Sequence, residues 1–265
     1  MRKEFERAVL TAHGNVAVLT MNHPETLNAI STKMVRGLSA GLDEIEKNGS
    51  GFRAVLLTGE GRGFCSGANL AEPPGDAGAP LGPGSMLDAV FHPFLRRLRD
   101  LKLPLVTAVN GAAAGIGMSI ALMGDIVLAA RSAYFLQAFA RLGLVPDGGS
   151  TWLLPRLIGL ARAKELSLLA EKLPAQTALE WGLINRVCDD AALLSEALKI
   201  TSRLAEGPTA ASAAIRRLYW ESPHKSYDEQ LDGERRAQDA AARTEDFLEG
   251  LKAFRGKRPP QFRGR

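Results

Sequence analysis

Residues 110–124 form an uncharged run of glycines and small side chains that leads into an apolar segment, and this run constrains the fold more than any other part of the chain. Gly115 and Gly117 permit a tight turn without Cβ clashes. The first free amides of a helix that follows such a turn can face a ligand, where the helix dipole favours negative charge. Because the run carries no reactive side chain, its chemistry is that of the backbone, and it predicts a binding point for an oxyanion.

A second glycine-rich segment, residues 61–70, follows the strand-like run 54–58. It can bring another backbone amide to the same point. Two converging amide donors stabilise the negative charge that develops on a thioester oxygen when an enolate forms. Each turn alone is more often a packing device, whereas the pair together predicts an oxyanion hole.

The composition bounds the class of protein. The chain has 265 residues, of which 46% are hydrophobic and 23% charged, so it can bury a large core. Cys65 and Cys188 make no disulfide framework and no Cys/His spacing suits zinc, so we expect no metal site. The charged N-terminus lacks an apolar segment, which predicts a cytoplasmic protein without a secretory signal.

The uncharged stretch 103–124 is long enough to span a bilayer. Pro104 and the glycines interrupt it, however, so we expect a buried strand, a loop and a helix, and no membrane contact. The formal net charge is +4. An excess of basic residues usually lies on a solvated surface. The functional interpretation is that Lys and Arg side chains bind the phosphates of a ligand. No basic stripe with interleaved aromatic residues is present, so nucleic acid is not an expected partner. The basic residues of the C-terminal tail are Arg255, Lys257, Arg258, Arg263 and Arg265.

Short strands alternate with helices in the first half of the chain, which indicates an α/β core. Residues 71–85, rich in proline and glycine, predict an irregular loop that directly follows the first oxyanion segment and lines the pocket there. Apolar runs predict strands at 16–21, 54–58, 105–109 and 126–130. Helical spacing predicts helices at 34–45 behind a Ser31 cap and at 86–101. Beyond residue 150 a short strand is predicted at 183–187, and helices at 160–170, 190–205, 208–221, 225–242 and 244–254.

Three motifs together carry a resemblance: residues 63–70, residues 104–117 and residues 143–156. In this order and spacing they resemble the crotonase, or enoyl-CoA hydratase/isomerase, family, and the resemblance covers essentially the whole chain. It implies an α/β fold with a spiral of repeated ββα turns over 1–200 and a helical trimerisation region over 201–265. It also implies a homotrimer or a hexamer built as a dimer of trimers. No repeat is visible in the sequence itself.

The resemblance also implies where an acyl-CoA thioester binds. The amides of Ala68 and Ile116 would hold the thioester oxygen. Ile116 replaces the family's middle glycine, but a backbone donor survives any substitution except proline. No separate cofactor is expected, because coenzyme A is part of the substrate. The residues implied to contact substrate are Asn28 and Ala29 near the adenine, and Ser66, Gly67, Ala68, Asn69, Leu70 and Gly115.

Hydratases of this family use two glutamates, and the chain has neither of them. Counting along the motifs places Ser119 and Phe139 at the two positions. Neither side chain can abstract a proton or activate water near neutral pH, which disfavours hydration by a pair of carboxylates.

One carboxylate stands in the third motif, where Asp147 precedes a helix that Ser150 can cap. From spacing alone, an aspartate after a proline is more often a turn residue. In branches of the family without the glutamates, including Δ3,Δ2-enoyl-CoA isomerases and 1,2-epoxyphenylacetyl-CoA isomerases, an aspartate at this position transfers the proton. The chain is similar to the second branch at residues 138–147, 151–156 and 180–182.

His92 is a further candidate for the active site. The commoner interpretation is a half-exposed or core histidine. In 4-chlorobenzoyl-CoA dehalogenases, a histidine at this position activates water while an aspartate matching Asp147 attacks the ring. Those enzymes carry a tryptophan where this chain has Phe139, so that match is incomplete.

The sequence therefore predicts an acyl-CoA enzyme, specifically an enoyl-CoA isomerase with Asp147 as its single acid–base group. Enoyl-CoA hydratase is the enzymatic alternative. A CoA-binding protein that has lost its glutamates is the non-enzymatic one, although a mere binder has no need of an aspartate at the acyl end. The acyl group itself is not defined by the sequence.

Overall fold

The computed structural model describes residues 1–71 and 82–265. Most of the predicted loop 71–85 lies outside the described residues. Within them, one sheet has seven strands in the order β1-β2-β3-β4-β6-β8-β11 and a second has four in the order β10-β9-β7-β5. The strands are β1 Arg2–Phe5, β2 Ala8–His13, β3 Val16–Met21, β4 Ala54–Gly59, β5 Gly63–Cys65, β6 Leu105–Val109, β7 Ala112–Ala114, β8 Ile126–Ala130, β9 Tyr134–Leu136, β10 Leu173–Pro174 and β11 Arg186–Cys188.

The strand order confirms the predicted spiral. The consecutive strands β4 and β5, β6 and β7, and β8 and β9 each place one member in the large sheet and one in the small sheet, and helix follows each pair. Neighbouring turns pair in parallel in both sheets. Since each strand is only three to six residues long and its partner is one turn away, the repeat is one of geometry and leaves no repeated sequence.

The predicted helices are present with small shifts at their ends. Ser31 caps the first helix through a hydrogen bond from the Met34 amide to its hydroxyl, at 3.4 Å. The helices are α1 Thr32–Glu46, α2 Pro83–Met86, α3 His92–Asp100, α4 Ile116–Ala121, α5 Ser150–Ile158, α6 Leu160–Leu169, α7 Ala175–Glu180, α8 Leu193–Ala205, α9 Thr209–Glu221, α10 Tyr227–Ala241 and α11 Glu245–Arg255. Single 3-10 turns lie at Pro24–Thr26, Ala138–Leu142, Asp190–Ala192 and Ser222–His224.

The predicted helix 86–101 contains a feature that its periodicity does not show. A π-helical turn, Leu87–Phe91, separates α2 from α3. Pro93 has no amide hydrogen to donate to the preceding turn, and a wider turn before a proline accommodates that loss. The apolar stripe of this helix is nevertheless buried, with Phe94, Leu95 and Leu98 in the core.

The C-terminal helices are fixed to the core by a buried ion pair. Arg216 of α9 is 6% exposed and donates to both carboxylate oxygens of Asp125, at 2.7 and 2.6 Å. The same carboxylate accepts the Leu105 amide at the start of β6. Asp125 therefore has a structural role.

One predicted strand has different bounds in the structure. The predicted strand 183–187 is confined to Arg186–Cys188, because the Asn185 side chain turns back to accept the Val127 amide at 2.7 Å. The division at residue 200 between the spiral core and the C-terminal helical region stays a prediction. Residue 200 lies within α8, Leu193–Ala205. The uncharged stretch 103–124 forms β6, β7 and α4, and no helix within residues 1–71 and 82–265 is long and apolar enough to cross a membrane.

Candidate active site

Two glycine turns meet beyond the carboxyl ends of the neighbouring strands β5 and β7. Gly67 and Gly115 have φ angles of +106° and +52°, a conformation that side chains other than glycine rarely adopt. A Cβ on Gly67 would lie 3.2 Å from the Ala114 carbonyl oxygen, and one on Gly115 would lie 3.9 Å from the Gly67 Cα. Glycine at position 67 therefore allows a close approach to β7, whereas at position 115 the positive φ alone favours glycine.

The amides that follow these glycines are available to a ligand. Ile116 begins α4, so its amide has no partner inside the helix. Neither the Ile116 amide nor the Ala68 amide donates a hydrogen bond to another described residue. Ala68 is exposed whereas Ile116 is buried, so one donor lies at the rim and the other at the floor of the site. Two main-chain donors without a protein partner are what the predicted oxyanion hole requires.

Side chains beneath the first turn hold it in place. The side-chain NH₂ group of Asn28 donates to the main-chain carbonyls of Glu60 and Gly63, at 2.9 and 2.7 Å. Its side-chain oxygen accepts a hydrogen bond from the main-chain amide of His23, at 2.8 Å. All the hydrogen-bonding groups of this fully buried side chain are thus engaged within the protein. Asn28 acts on the site by fixing β5, while Ala29 next to it is also buried.

The remaining residues of this segment differ in exposure. The Ser66 hydroxyl donates to the main-chain carbonyl of Thr26 at 2.8 Å. The main-chain amide of Asn69 donates to the main-chain carbonyl of Ile30, also at 2.8 Å. Leu70 is 73% exposed. The segment therefore presents Ala68 and Leu70 outward from a backbone that is fixed on its inner side.

Asp147 lies on the loop that leads into α5. Its Oδ1 atom is buried and has no hydrogen-bond partner among the described residues. Burial raises the pKa of Asp147 to about 6, and no charged neighbour among those residues contributes to this shift. A carboxylate in such surroundings is a candidate for proton transfer near neutral pH.

Ser119 and Phe139, at the two glutamate positions, both adjoin this site. The Ser119 hydroxyl donates to the main-chain carbonyl of Asp147 at 3.1 Å. A Cβ on Gly148 would lie 2.7 Å from the Ser119 Cβ, so the loop rests directly on α4. The Phe139 ring is buried, and its Cζ lies 3.6 Å from where a Cβ of Gly115 would be. These positions therefore supply an anchor and an apolar wall, and no second carboxylate.

Gln137 was not among the predicted site residues, and the predicted role of Ser150 as the cap of α5 is wrong. Ser150 is the first residue of α5 and Gly149 is the N-cap, with φ +83° and no capping side chain. Instead, the Ser150 hydroxyl is 2.7 Å from the Ser119 hydroxyl and accepts the Gln137 amide at 3.1 Å. A glutamine directly after the apolar strand β9 is the one signal in the sequence that a buried polar contact lies here.

His92 lines a cavity of about 1030 Å³ next to the Asp147 loop. Gly148, Gly149 and Trp152 form part of the same wall. The His92 side chain is 38% exposed and its Nδ1 is 4.0 Å from Asp88 Oδ1. It makes no hydrogen bond to Asp147.

The basic tail lies away from the predicted CoA segment within one chain. Arg53, just before β4, donates to the Phe262 carbonyl at 2.9 Å, which fixes the tail at the amino end of that strand. Segment 61–70 begins beyond its carboxyl end. Arg258 and Arg265 pair with Glu249 and Glu245. The interpretation that this tail binds phosphates is therefore not supported by its position in the same chain.

Within the described residues, the site thus combines two amides without a protein partner, a carboxyl group whose Oδ1 has none, and apolar walls. No group of three His, Cys, Asp or Glu side chains suited to a metal ion occurs in the described part of the chain. Such a site can stabilise an oxyanion and move a proton at the adjacent carbon.

Fold and site together define an acyl-thioester enzyme class, and comparisons with known proteins agree. The family model "Enoyl-CoA hydratase/isomerase" matches residues 11–265. A 1,2-epoxyphenylacetyl-CoA isomerase of Escherichia coli (strain K12) is 44% identical over 94% of this chain and 95% of the relative. A probable enoyl-CoA hydratase of Rhodobacter capsulatus is 41% identical, again over 94% and 95%.

A solved structure gives the same result. The crystal structure of an enoyl-CoA hydratase from Polaromonas sp. JS666 matches with a TM-score of 0.87 and 34% identity, over 97% of this chain and 99% of that one. The chain belongs to the enoyl-CoA hydratase/isomerase, or crotonase, family. It is an enzyme of that family.

Proposed function

We propose that this enzyme isomerises enoyl-CoA thioesters and uses Asp147 as its single acid–base group. The observation that carries the proposal is a carboxyl group with an unpartnered, buried oxygen and a pKa raised to about 6. It lies on a loop that rests on α4, the helix that presents the Ile116 amide. A base with this pKa is mostly ionised at neutral pH and retains useful basicity.

The reaction follows from these groups. The amides of Ala68 and Ile116 bind the thioester oxygen and stabilise the negative charge that forms when the α proton leaves. In a 3-enoyl-CoA, the Asp147 carboxylate takes that proton from C2, and the charge spreads over the oxygen, C2 and C4. The resulting carboxylic acid returns the proton to C4. The double bond moves from C3–C4 to C2–C3 without gain or loss of atoms.

Hydration is the less favoured reaction for this site. It requires a group that activates water as well as one that protonates carbon, and the two positions that hold these groups in hydratases carry Ser119 and Phe139. The Ser119 hydroxyl already donates to the Asp147 carbonyl. A non-catalytic CoA binder is disfavoured, because a buried ionisable carboxyl group destabilises the fold without improving CoA affinity.

The substrate class includes two candidates for the acyl group. Straight-chain 3-enoyl-CoA fits the proton transfer described above. The name of the E. coli relative adds 1,2-epoxyphenylacetyl-CoA, a strained ring. Both are acyl-CoA thioesters that an oxyanion hole and one carboxylate can isomerise.

The test is the isomerase activity of Asp147→Asn. This variant keeps the size of the side chain but cannot accept the proton, so turnover of 3-enoyl-CoA should fall by about 10²–10⁴-fold, with CoA affinity nearly unchanged. Absorbance of the conjugated enoyl thioester reports isomerisation, and mass spectrometry detects any added water. Turnover by the parent should also decline as the pH falls through about 6, where Asp147 is protonated.

Two outcomes of this experiment would contradict the proposal. If Asp147→Asn isomerises every accepted substrate at the parent rate, Asp147 is a turn residue. If the parent adds water to 2-enoyl-CoA faster than it isomerises 3-enoyl-CoA or the epoxide, the enzyme is a hydratase.

The proposal extends to the assembly, which we propose to be a homotrimer or a dimer of trimers. Exposed apolar side chains on the C-terminal helices support it. On α11, Phe247, Leu251 and Phe254 follow each other at helical spacing and are 44%, 36% and 85% exposed. A contiguous apolar face of this kind indicates a contact with another chain.

A further inference from the structure

A row of three buried polar side chains runs beneath the Asp147 loop. Gln137, Ser150 and Ser119 are each fully buried. Gln137 Nε2 is 3.1 Å from Ser150 Oγ, Ser150 Oγ is 2.7 Å from Ser119 Oγ, and Ser119 Oγ is 3.1 Å from the main-chain oxygen of Asp147. The row connects the end of β9, the helix α4 and the first residue of α5.

Counting hydrogens gives the row a single direction. A carbonyl oxygen can only accept, so Ser119 donates its one hydroxyl hydrogen to Asp147. Ser150 must then donate to Ser119, and the Gln137 amide donates to Ser150. The same Gln137 nitrogen also donates to Met118 Sδ at 3.3 Å. Bonds aligned in one direction polarise one another, so the last bond, to Asp147, is strengthened.

The carboxyl group needs this support from its main chain. Its Oδ1 atom has no partner among the described residues, so no hydrogen bond to that atom fixes the side chain. A base that serves two carbons of one substrate must stay free of strong hydrogen bonds and yet remain in place. The restraint must therefore act on the backbone.

We propose that Gln137, Ser150 and Ser119 are positioning residues, which hold the Asp147 main chain so that its carboxyl group stays within the apolar site. The role rests on the proposed function of Asp147. Close packing agrees with it, because Gly148 leaves no space for a Cβ against Ser119. The serine at a position where hydratases have a catalytic glutamate thus anchors the one remaining carboxylate.

The test measures the ionisation of Asp147 directly. In protein labelled with ¹³C at aspartate carboxyl groups, the Asp147 signal is the one absent from Asp147→Asn, and in the parent it should titrate near pH 6. Ser119→Ala releases the loop and admits water to the carboxyl group, so this pKa should fall by about one unit. Turnover should fall roughly 10- to 100-fold because the base is displaced, while KM changes little.

Thr201→Val is the matched control. Thr201 is also fully buried, and its hydroxyl donates to the Ala197 carbonyl at 2.7 Å in α8. Its loss should leave the Asp147 titration and the turnover number unchanged. Gln137→Met removes the first donor at nearly constant volume and should shift both quantities in the same direction as Ser119→Ala, by a smaller amount.

The outcomes separate the two proposals. If Ser119→Ala and Gln137→Met both match Thr201→Val in titration and turnover, the row has no positioning role and Asp147 remains the base. Should Ser119→Ala not fold, Gln137→Met alone decides by the same two readouts. If Asp147→Asn is fully active, the proposed function fails, whereas the titration still shows whether the row controls the carboxyl group.

Discussion

The proposed chemistry of this site depends on one residue with conflicting requirements. Asp147 must be ionised to act as a base, yet its surroundings disfavour the charge and raise its pKa to about 6. The Phe139 ring lies against the neighbouring glycine turn and keeps this part of the site apolar. Reactivity and stability therefore have opposite requirements at this position.

Because its carboxylate is buried, Asp147 should lower the stability of the parent at high pH, and Asp147→Asn should be more stable there. The folded state binds the Asp147 proton more tightly than the unfolded chain, whose carboxyl pKa is near 3.8. Above pH 6 the folded protein bears the full penalty of a buried charge, and as the pH falls towards 4 that penalty disappears. The asparagine variant should therefore exceed the parent in free energy of unfolding by about 1–2 kcal/mol at pH 8, and the difference should shrink towards pH 4.

Urea unfolding at several pH values measures this difference. Asp88→Asn, at a carboxylate that is 84% exposed, is the control and should show no such dependence. A variant at residue 147 that is less stable than the parent at pH 8 would show that the carboxylate makes favourable contacts in the fold.

At this scale, the sequence identifies individual positions better than contacts. Asp147 could be predicted because it stands in a motif, and Ser119 and Phe139 because a count along two motifs places them. The contacts of Ser119 with Asp147 and Ser150 join residues 28 and 31 positions apart. Only the packing of α4 on the following loop brings them together, and no local pattern records it. The cap expected of Ser150 was wrong, because Gly149 takes that place and frees the serine for the buried contact.

Among the elements, the ends of the short strands β5 and β7 matter most. Each strand is three residues long; Gly115 and then Ile116 follow β7 directly, whereas Ser66 stands between β5 and Gly67, and both glycines have positive φ. Parallel pairing of β5 with β7 places the two turns at the same edge of the small sheet. Both proposed donors are main-chain amides, so their role requires no particular side chain at Ala68 or Ile116.

The oxyanion hole can be tested at Ala68. Ala68→Pro removes one amide donor and should lower turnover by about 10²-fold or more. Ala68→Ser keeps the donor and should have a mild effect. Steady-state kinetics measure both, and circular dichroism verifies the fold. Equal losses in two folded variants would mean that the side chain, not the amide, is what substrate contacts.

Strands and helices were well predicted where the spacing of apolar residues matches the buried face of the element. All six residues of β4 are buried, and Ser31 caps α1 as expected. The π-helical turn Leu87–Phe91 was not predicted, since it depends on a single proline. Six strands in the described part of the chain were not predicted either: β1, β2, β5, β7, β9 and β10. Five of these six are only two to four residues long, and β10 consists of two residues paired with β9, too few to show a periodicity.

For the whole molecule, the prediction concerns the assembly and the C-terminal helices. The Arg216–Asp125 pair fixes α9 to the spiral, while α11 presents exposed apolar side chains. The resemblance predicts a trimerisation region here, which stays a prediction, and the sequence alone shows only amphipathic helices. The order of strands in the spiral likewise depended on the resemblance.

Sedimentation equilibrium tests the assembly. The parent should have three or six times the 28.4 kDa mass of one chain. Phe254→Glu places a charge in the proposed contact and should shift the protein towards smaller species. Leu168→Glu, at a site on α6 that is 74% exposed, should leave the mass unchanged. A monomeric parent would exclude the trimer.

Each turn of the spiral supplies a separate component of the site. The turn β4–β5 supplies the Ala68 amide, the turn β6–β7 the Ile116 amide, and the turn β8–β9 leads to Phe139 and Asp147. The two proposed donors are main-chain atoms and persist through almost any substitution, whereas the proposed proton carrier is a single side chain on a loop. Such a scaffold can change its reaction when a carboxylate moves from one turn to another, while the main-chain donors continue to bind the thioester oxygen in the same way.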